Sequence, residues 1–215
     1  MLGFLLSLLI ANPIIINTNI EPNCKVVKCV ALTYDDGPHS TLTPKLLDLV
    51  EKKYSSYNIR LTFFVQGHLV MKNKGIVQRI AKGGHELGNH TWAHEYLTQL
   101  DSSGIQKTLQ KTQQILFSLT GSYPTIFRPP GGHSDQFVRS NTSLREVMWD
   151  IDTRDWDHRN RWRTLAIIKN QLKPNSIILL HDIHAESVEA SPYIFETLHK
   201  SGYKMVTVSH LLKFR

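Results

Sequence analysis

Two adjacent carboxylates end an apolar run in Val30-Ala31-Leu32-Thr33-Tyr34-Asp35-Asp36-Gly37-Pro38. Buried without a partner, such a pair suffers desolvation and mutual repulsion together, and a metal ion or a cationic side chain relieves both. The chain also carries His90-Thr91-Trp92-Ala93-His94. Imidazoles at i and i+4 project from one face of a helix and can bind one ion. One carboxylate with two imidazoles suits Zn²⁺ with an open position, the arrangement of catalytic sites. A second carboxylate beside the ligand can take the proton of a water molecule. On its own, Asp-Asp-Gly-Pro reads equally well as a surface turn. The elements that carry these residues decide between the two.

Val, Leu, Thr and Tyr favour a strand, and Gly-Pro stops it. Thr43-Pro44 reads as N-cap and N1 of a helix with Leu46, Leu47, Leu49, Val50 and Tyr54 on its apolar stripe. Strands are expected over Ile59–Val65, Thr125–Phe127, Glu146–Ile151, Ser176–Leu180 and Tyr203–Val206, with a short strand or loop over His85–Asn89. Helices are expected over Lys72–Lys82, from Ser102 to Gly121, Ser134–Ser140, Trp162–Leu172, Ser187–Lys200 and at the C-terminus, with a short helical piece over His90–Tyr96. About seven strands alternating with helices imply parallel strands with right-handed crossovers, as a closed barrel or an open doubly wound sheet. No glycine-rich dinucleotide fingerprint follows the first strand, so the expected fold is α/β, a distorted (β/α) barrel. In such folds the C-terminal strand ends share one face, which carries the active site. Asp35 and Asp36, Arg128, Asp152 with Asp155, and His181 with Asp182 each sit just past a strand. They are therefore expected to converge. His133 belongs with histidines read as surface or packing residues, although its loop, with Asp135, would approach a substrate.

At 215 residues with 41% hydrophobic content the chain fits one globular domain. Its 25 Lys and Arg against 18 Asp and Glu give a formal charge of +7. No basic run is interleaved with aromatics, so a nucleic-acid partner is not expected. Residues 1–20 are largely apolar and suit a signal peptide or N-terminal anchor, although no Lys or Arg precedes Lys25. Export, with a catalytic domain over 24–215, is the expectation, and association with a membrane or cell-wall surface is compatible with it. Cys24 and Cys29 can bridge only if the chain turns between them. Asn141-Thr142-Ser143 is a candidate glycosylation acceptor in a secreted chain.

From Cys29 to Leu212 the chain resembles the polysaccharide deacetylases of carbohydrate esterase family 4, the NodB-homology group. Five segments carry the resemblance in order: Thr33–Pro38, His90–His94, Arg128-Pro129-Pro130-Gly131-Gly132, Asp152–Trp156 and Leu179–Asp182. The resemblance implies Asp35 as catalytic base, oriented by Arg128. It implies Asp36, His90 and His94 as ligands of Zn²⁺, with Co²⁺ as an alternative. It implies His181 as general acid supported by Asp155, with Tyr34, Gly131, Trp156 and Leu179 at the substrate. The implied reaction is removal of acetyl groups from N-acetylglucosamine units of a polymer such as chitin or peptidoglycan. Two rival readings stand beside it: a metal- and carbohydrate-binding protein with little turnover, and a deacetylase for a smaller substrate. The family's third segment usually has an aromatic residue after the two prolines. Here it is Gly131, which keeps a backbone N–H for the oxyanion but is expected to remove a wall from the sugar groove.

Overall fold

A computed structural model describes residues 21–215; the proposed signal or anchor segment over 1–20 lies outside the described residues. Eight strands form one sheet in the order β5-β4-β3-β2-β1-β7-β6, with β8 paired to β1. The strands are β1 (Cys29–Asp35), β2 (Thr62–Val65), β3 (Glu86–Asn89), β4 (Ile126–Phe127), β5 (Arg145–Glu146), β6 (Ile151–Asp152), β7 (Ser176–His181) and β8 (Lys204–Met205). Every pairing is parallel. β5 and β6 stand at opposite ends of the order, so the sheet curls into a partly open barrel. The expected single strand over Glu146–Ile151 is instead these two short strands, flanking a link through Val147–Asp150 that crosses the open seam.

β1 is the axis. It pairs with β7 along Val30–Asp35, and on its other side with β8 at Cys29 and Val30 and with β2 from Thr33. All seven of its residues are buried, which is why the segment is mostly apolar before Asp35 and why its Thr33 hydroxyl is hydrogen-bonded, to Ile178 O at 2.7 Å. Side chains alternate across a strand. Val30, Leu32 and Tyr34 face outward into a core with Leu46, Leu47, Ile194 and Phe195. Cys29 and Ala31 join Phe64, Ile126, Val147 and Ile177 in a second cluster. That alternation puts Thr33 and Asp35 on the same face as Ala31. Burying each large aliphatic side chain here contributes about 1.5–3 kcal/mol.

The helices are α1 (Leu42–Asp48), α2 (Gly67–Lys72), α3 (Lys74–Lys82), α4 (Ser102–Thr120), α5 (Gln136–Ser140), α6 (Asp155–His158), α7 (Arg161–Gln171), α8 (Ala185–Lys200) and α9 (Val208–Leu211). α4 has the expected bounds. Asp101 caps it by accepting from Gly104 N at 2.7 Å, and Gly121 ends it at φ 74°. α1 starts one residue before Thr43, so Thr43 is not its cap. Its hydroxyl instead accepts from His39 N at 2.8 Å and donates to Asp182. The helix expected over Lys72–Lys82 is α3, starting two residues later at Lys74; Lys72 ends α2, and Asn73 between them donates its amide to Pro38 O at 3.1 Å and ties the break to the loop after β1. Cys24 and Cys29 form a disulfide across a turn.

Candidate active site

The strand ends converge on a cleft of about 390 Å³ lined by Asp35, Asp36, His90, His94, Tyr96, Gly131, His133, Trp149, Asp152, Trp156, Leu179 and His181. Asp35 ends β1 and is buried. Its Oδ1 accepts from Arg128 Nη1 at 2.8 Å. Arg128 is completely buried and makes four hydrogen bonds, one of them to Asp35. Nη1 also reaches Thr33 Oγ1 at 2.7 Å, while Nε and Nη2 donate to Val147 O at 3.0 Å and Met148 O at 3.1 Å. The guanidinium lies 4.2 Å from the centre of the Phe64 ring. It thus anchors the link across the open seam while holding the carboxylate. Burial lowers its pKa, and the Asp35 charge opposes that fall.

Asp36 takes a left-handed conformation (φ 73°), which turns its carboxylate away from the strand direction. Its Oδ1 lies 3.4 Å from His90 Nε2 and 3.2 Å from His94 Nε2, and accepts from Gln66 Nε2 at 3.0 Å. Burial alone would raise its pKa, but the two imidazoles outweigh that and hold it far below the usual carboxylate range. The Asp36 hydrogen bond in turn raises the pKa of His94. His90 Nδ1 meets the Arg128 carbonyl at 2.7 Å. A carbonyl only accepts, so Nδ1 carries the proton and Nε2 presents a lone pair. One ligand atom from each of Asp36, His90 and His94 lies within 4.8 Å of the others. A carboxylate oxygen and imidazole nitrogens, with one ring already oriented, fit a divalent cation with its remaining positions open to the cleft.

The expected helix over His90–Tyr96 is absent. Thr91 and His94 have φ of 65° and 63°. The Thr91 and Trp92 carbonyls accept from Gly67 N at 3.0 Å and His68 N at 2.9 Å, at the start of α2, rather than from a helical turn of their own. The two imidazoles meet because a turn pinned to α2 brings them together.

Across the cleft, Asp155 is buried at the start of α6. Its Oδ1 meets His181 Nδ1 at 2.8 Å, and its Oδ2 accepts from His181 N at 2.8 Å and Ser187 Oγ at 2.5 Å. Burial raises the Asp155 pKa, but hydrogen bonding and attraction to His181 outweigh it and bring it below the ordinary value. For His181, burial opposes the charge, yet Asp155 prevails and lifts the imidazole from 6.5 to about 9. The ring therefore holds a proton at neutral pH with Nε2 directed away from its carboxylate partner. Leu179 lies two residues before His181 on β7 and lines the cleft, as does the exposed Trp156.

Tyr34 does not reach the cleft. It is buried on the opposite face of β1, 5.8 Å from the Phe63 ring centre, with its hydroxyl 2.8 Å from Ser191 Oγ. Burial raises its pKa. Asp182 is also behind the site. Burial, and secondarily the Asp36 charge, push it up to about 7 against the Thr43 hydrogen bond. A Cβ on Gly37 would lie 2.5 Å from Asp182 Oδ1, so only glycine fits there. Gly131 is at the cleft with φ 61°, and a Cβ there would lie 2.8 Å from His133 and 3.1 Å from Tyr96. Those two rings fill the wall that Gly131 was expected to leave empty. Tyr96, Trp149 and Gln66 went unnoticed in the sequence, although each follows or flanks a strand end on the catalytic face.

The family model for polysaccharide deacetylase matches residues 23–147. The peptidoglycan-N-acetylglucosamine deacetylase PgdA of Listeria monocytogenes is 35% identical over 88% of this chain and 40% of its own length. The peptidoglycan-N-acetylmuramic acid deacetylase PdaC of Bacillus subtilis is 38% identical over 89% of this chain and 40% of its own. The solved PdaC structure aligns at TM-score 0.83 with 36% identity, covering 87% of this chain and 91% of that one. A family 4 acetyl xylan esterase from Clostridium thermocellum, solved with a cobalt ion, aligns at TM-score 0.80 with 32% identity, covering 86% and 91%. The chain thus spans about 40% of the length of PgdA and of PdaC. With five segments in order, a half-barrel of parallel strands and this match, the chain belongs to the polysaccharide deacetylase family, carbohydrate esterase family 4.

Proposed function

We propose that the chain is a metal-dependent N-deacetylase that hydrolyses the acetamide of N-acetylated sugars in a cell-wall polysaccharide, with peptidoglycan preferred over chitin. One observation carries the reading: a carboxylate with two imidazoles, a third imidazole backed by its own buried carboxylate, and an Asp held by a buried Arg are brought together at one cleft. The preference for peptidoglycan rests on PgdA and PdaC, whose names state that substrate. Zn²⁺ is the proposed ion at Asp36, His90 and His94, and Co²⁺ the substitute.

When bound, the ion supplies Lewis acidity that polarises the acetamide carbonyl and eases deprotonation of water. Asp35 takes that proton on Oδ2, the oxygen Arg128 leaves free, while Arg128 fixes the carboxylate plane. The Gly131 N–H has no hydrogen-bond partner among the described residues and donates to the developing oxyanion. His181 Nε2 then protonates the departing amine, and Asp155 stabilises its charged form until transfer. Leu179 packs against the acetyl methyl, and Trp156 offers its face to the sugar. The apolar segment over 1–20 and the Cys24–Cys29 disulfide support export to an oxidising compartment at the cell surface.

Acetate release from peptidoglycan and from N-acetylglucosamine oligomers, after chelation and return of Zn²⁺ or Co²⁺, tests the reading. Metal-dependent release with peptidoglycan as the better substrate is expected. No acetate from any glycan at full metal loading would overturn it.

A further inference from the structure

Gly131, Tyr96 and His133 form one unit in the lining of the cleft. Tyr96 and His133 come from different loops, after β3 and β4, and their rings meet edge to face at 4.9 Å and 70°. Tyr96 in turn lies 6.0 Å from the His94 ring. Both loops are pinned on each side of the contact. Before Tyr96, the Glu95 carboxylate accepts from Ala93 N at 2.8 Å and Thr108 Oγ1 at 2.9 Å, and after it Leu97 is buried. Before His133 stand Pro129 and Pro130; after it Ser134 bonds Glu146, and Asp135 accepts from Val138 N at 2.8 Å. Two rings held this firmly yet exposed, Tyr96 at 41%, are preorganised apolar surface, the kind that gains most when a ligand covers it.

A side chain at position 131 would have to push the His133 ring aside. The backbone there is left-handed, and a Cβ would stand 2.8 Å from His133 Cδ2. Glycine, Tyr96 and His133 are therefore one solution to building a wall, in which the rings come from neighbouring loops rather than from residue 131.

We propose that Tyr96 and His133 are the specificity-determining wall of this cleft, the surface on which the saccharide unit beside the hydrolysed acetamide stacks. The inference rests on the glycan-deacetylase reading and extends it to how polymer is told from single sugar. A ring seated there touches no reacting atom, so the wall acts on affinity for oligomers, and the loss on its removal grows with chain length. It also makes Gly131 a requirement: an aromatic at 131 competes with His133 for the same space.

The test is binding and turnover of N-acetylglucosamine oligomers of one to five units by the metal-loaded full chain and by Tyr96→Ala, His133→Ala, Tyr96→Phe and Gly131→Tyr. Calorimetry on each variant in the Asp35→Asn background reads affinity without turnover, so a failed deacetylase reading and a failed wall are told apart. The expected result is affinity for the pentamer about tenfold weaker in both alanine variants, appearing in KM more than in kcat. The effect shrinks toward the single sugar, and Tyr96→Phe retains affinity close to the parent. Gly131→Tyr loses activity about tenfold or more while remaining folded by circular dichroism. Equal losses at every length, an unchanged pentamer affinity, or a Gly131→Tyr variant as active as the parent would overturn the proposal.

Discussion

The cleft holds two carboxylate–imidazole assemblies that share residue types and differ in which nitrogen meets the acid. At Asp36 the carboxylate faces Nε2 of both His90 and His94, and the Nδ1 proton of His90 is fixed on a backbone carbonyl. The lone pairs converge with the carboxylate on one point, which is the geometry of a cation site. At Asp155 the carboxylate faces Nδ1 of His181 and is itself held by a backbone N–H and Ser187. There the imidazole is made basic and its Nε2 is left to hold a proton. In the proposed mechanism the same two functional groups thus serve as ligand or acid according to the ring edge that the backbone presents. Asp35 belongs to neither assembly, because Arg128 occupies its Oδ1.

Breaking the first assembly has the largest expected effect. Asp36→Ala or His90→Ala lowers acetate release by about a thousandfold or more, and excess Zn²⁺ does not restore it. Breaking the second by His181→Ala lowers kcat by about 10²–10⁴-fold, the range of a lost proton donor. Arg128→Met leaves Asp35 buried and unpaired, and costs about 3–5 kcal/mol of stability in denaturant melts.

A subtler variant sharpens the contrast. His181 titrates at about 9 rather than 6.5 in the folded chain. The stability contributed by its pairing with Asp155 is thus fully present below about 6.5 and is lost as pH rises through about 9. The acid form is the one that donates, so activity falls over the same alkaline limb. Asp155→Asn removes the charge that raises the pKa, and the limb of the pH–rate profile moves to lower pH. A cation on Asp36 repels the imidazolium, so metal loading moves the His181 titration in that same direction, readable by NMR. The smallest effect is that of Tyr34→Phe, which loses one buried hydrogen bond and about 1 kcal/mol of stability with KM unchanged.

Strand ends were the legible part of the sequence. Each of Asp35, Arg128, Asp155 and His181 sits where apolar runs stop, and parallel topology brings such ends together whatever the loop details. What escaped was local geometry set by distant partners. His90 and His94 have helical spacing, yet the N–H groups that satisfy Thr91 and Trp92 belong to α2, and nothing within the five residues announces that. Tyr34 lies beside the catalytic pair in sequence, but the period-two alternation of β1 sends it to the outer core. Its misassignment was avoidable from that alternation alone. Gly131 looked like a missing wall because the rings that replace it come from two other positions, His133 and Tyr96. A contact between loops leaves no periodic trace in either.

The division of labour between the two assemblies is tested most directly by metal content. His90→Ala and His181→Ala are each stripped with chelator, reloaded with Zn²⁺, desalted and measured by inductively coupled plasma mass spectrometry. About one ion per chain in His181→Ala and essentially none in His90→Ala is the predicted result. Equal occupancy in the two proteins would contradict the assignment of Asp36, His90 and His94 as the metal centre.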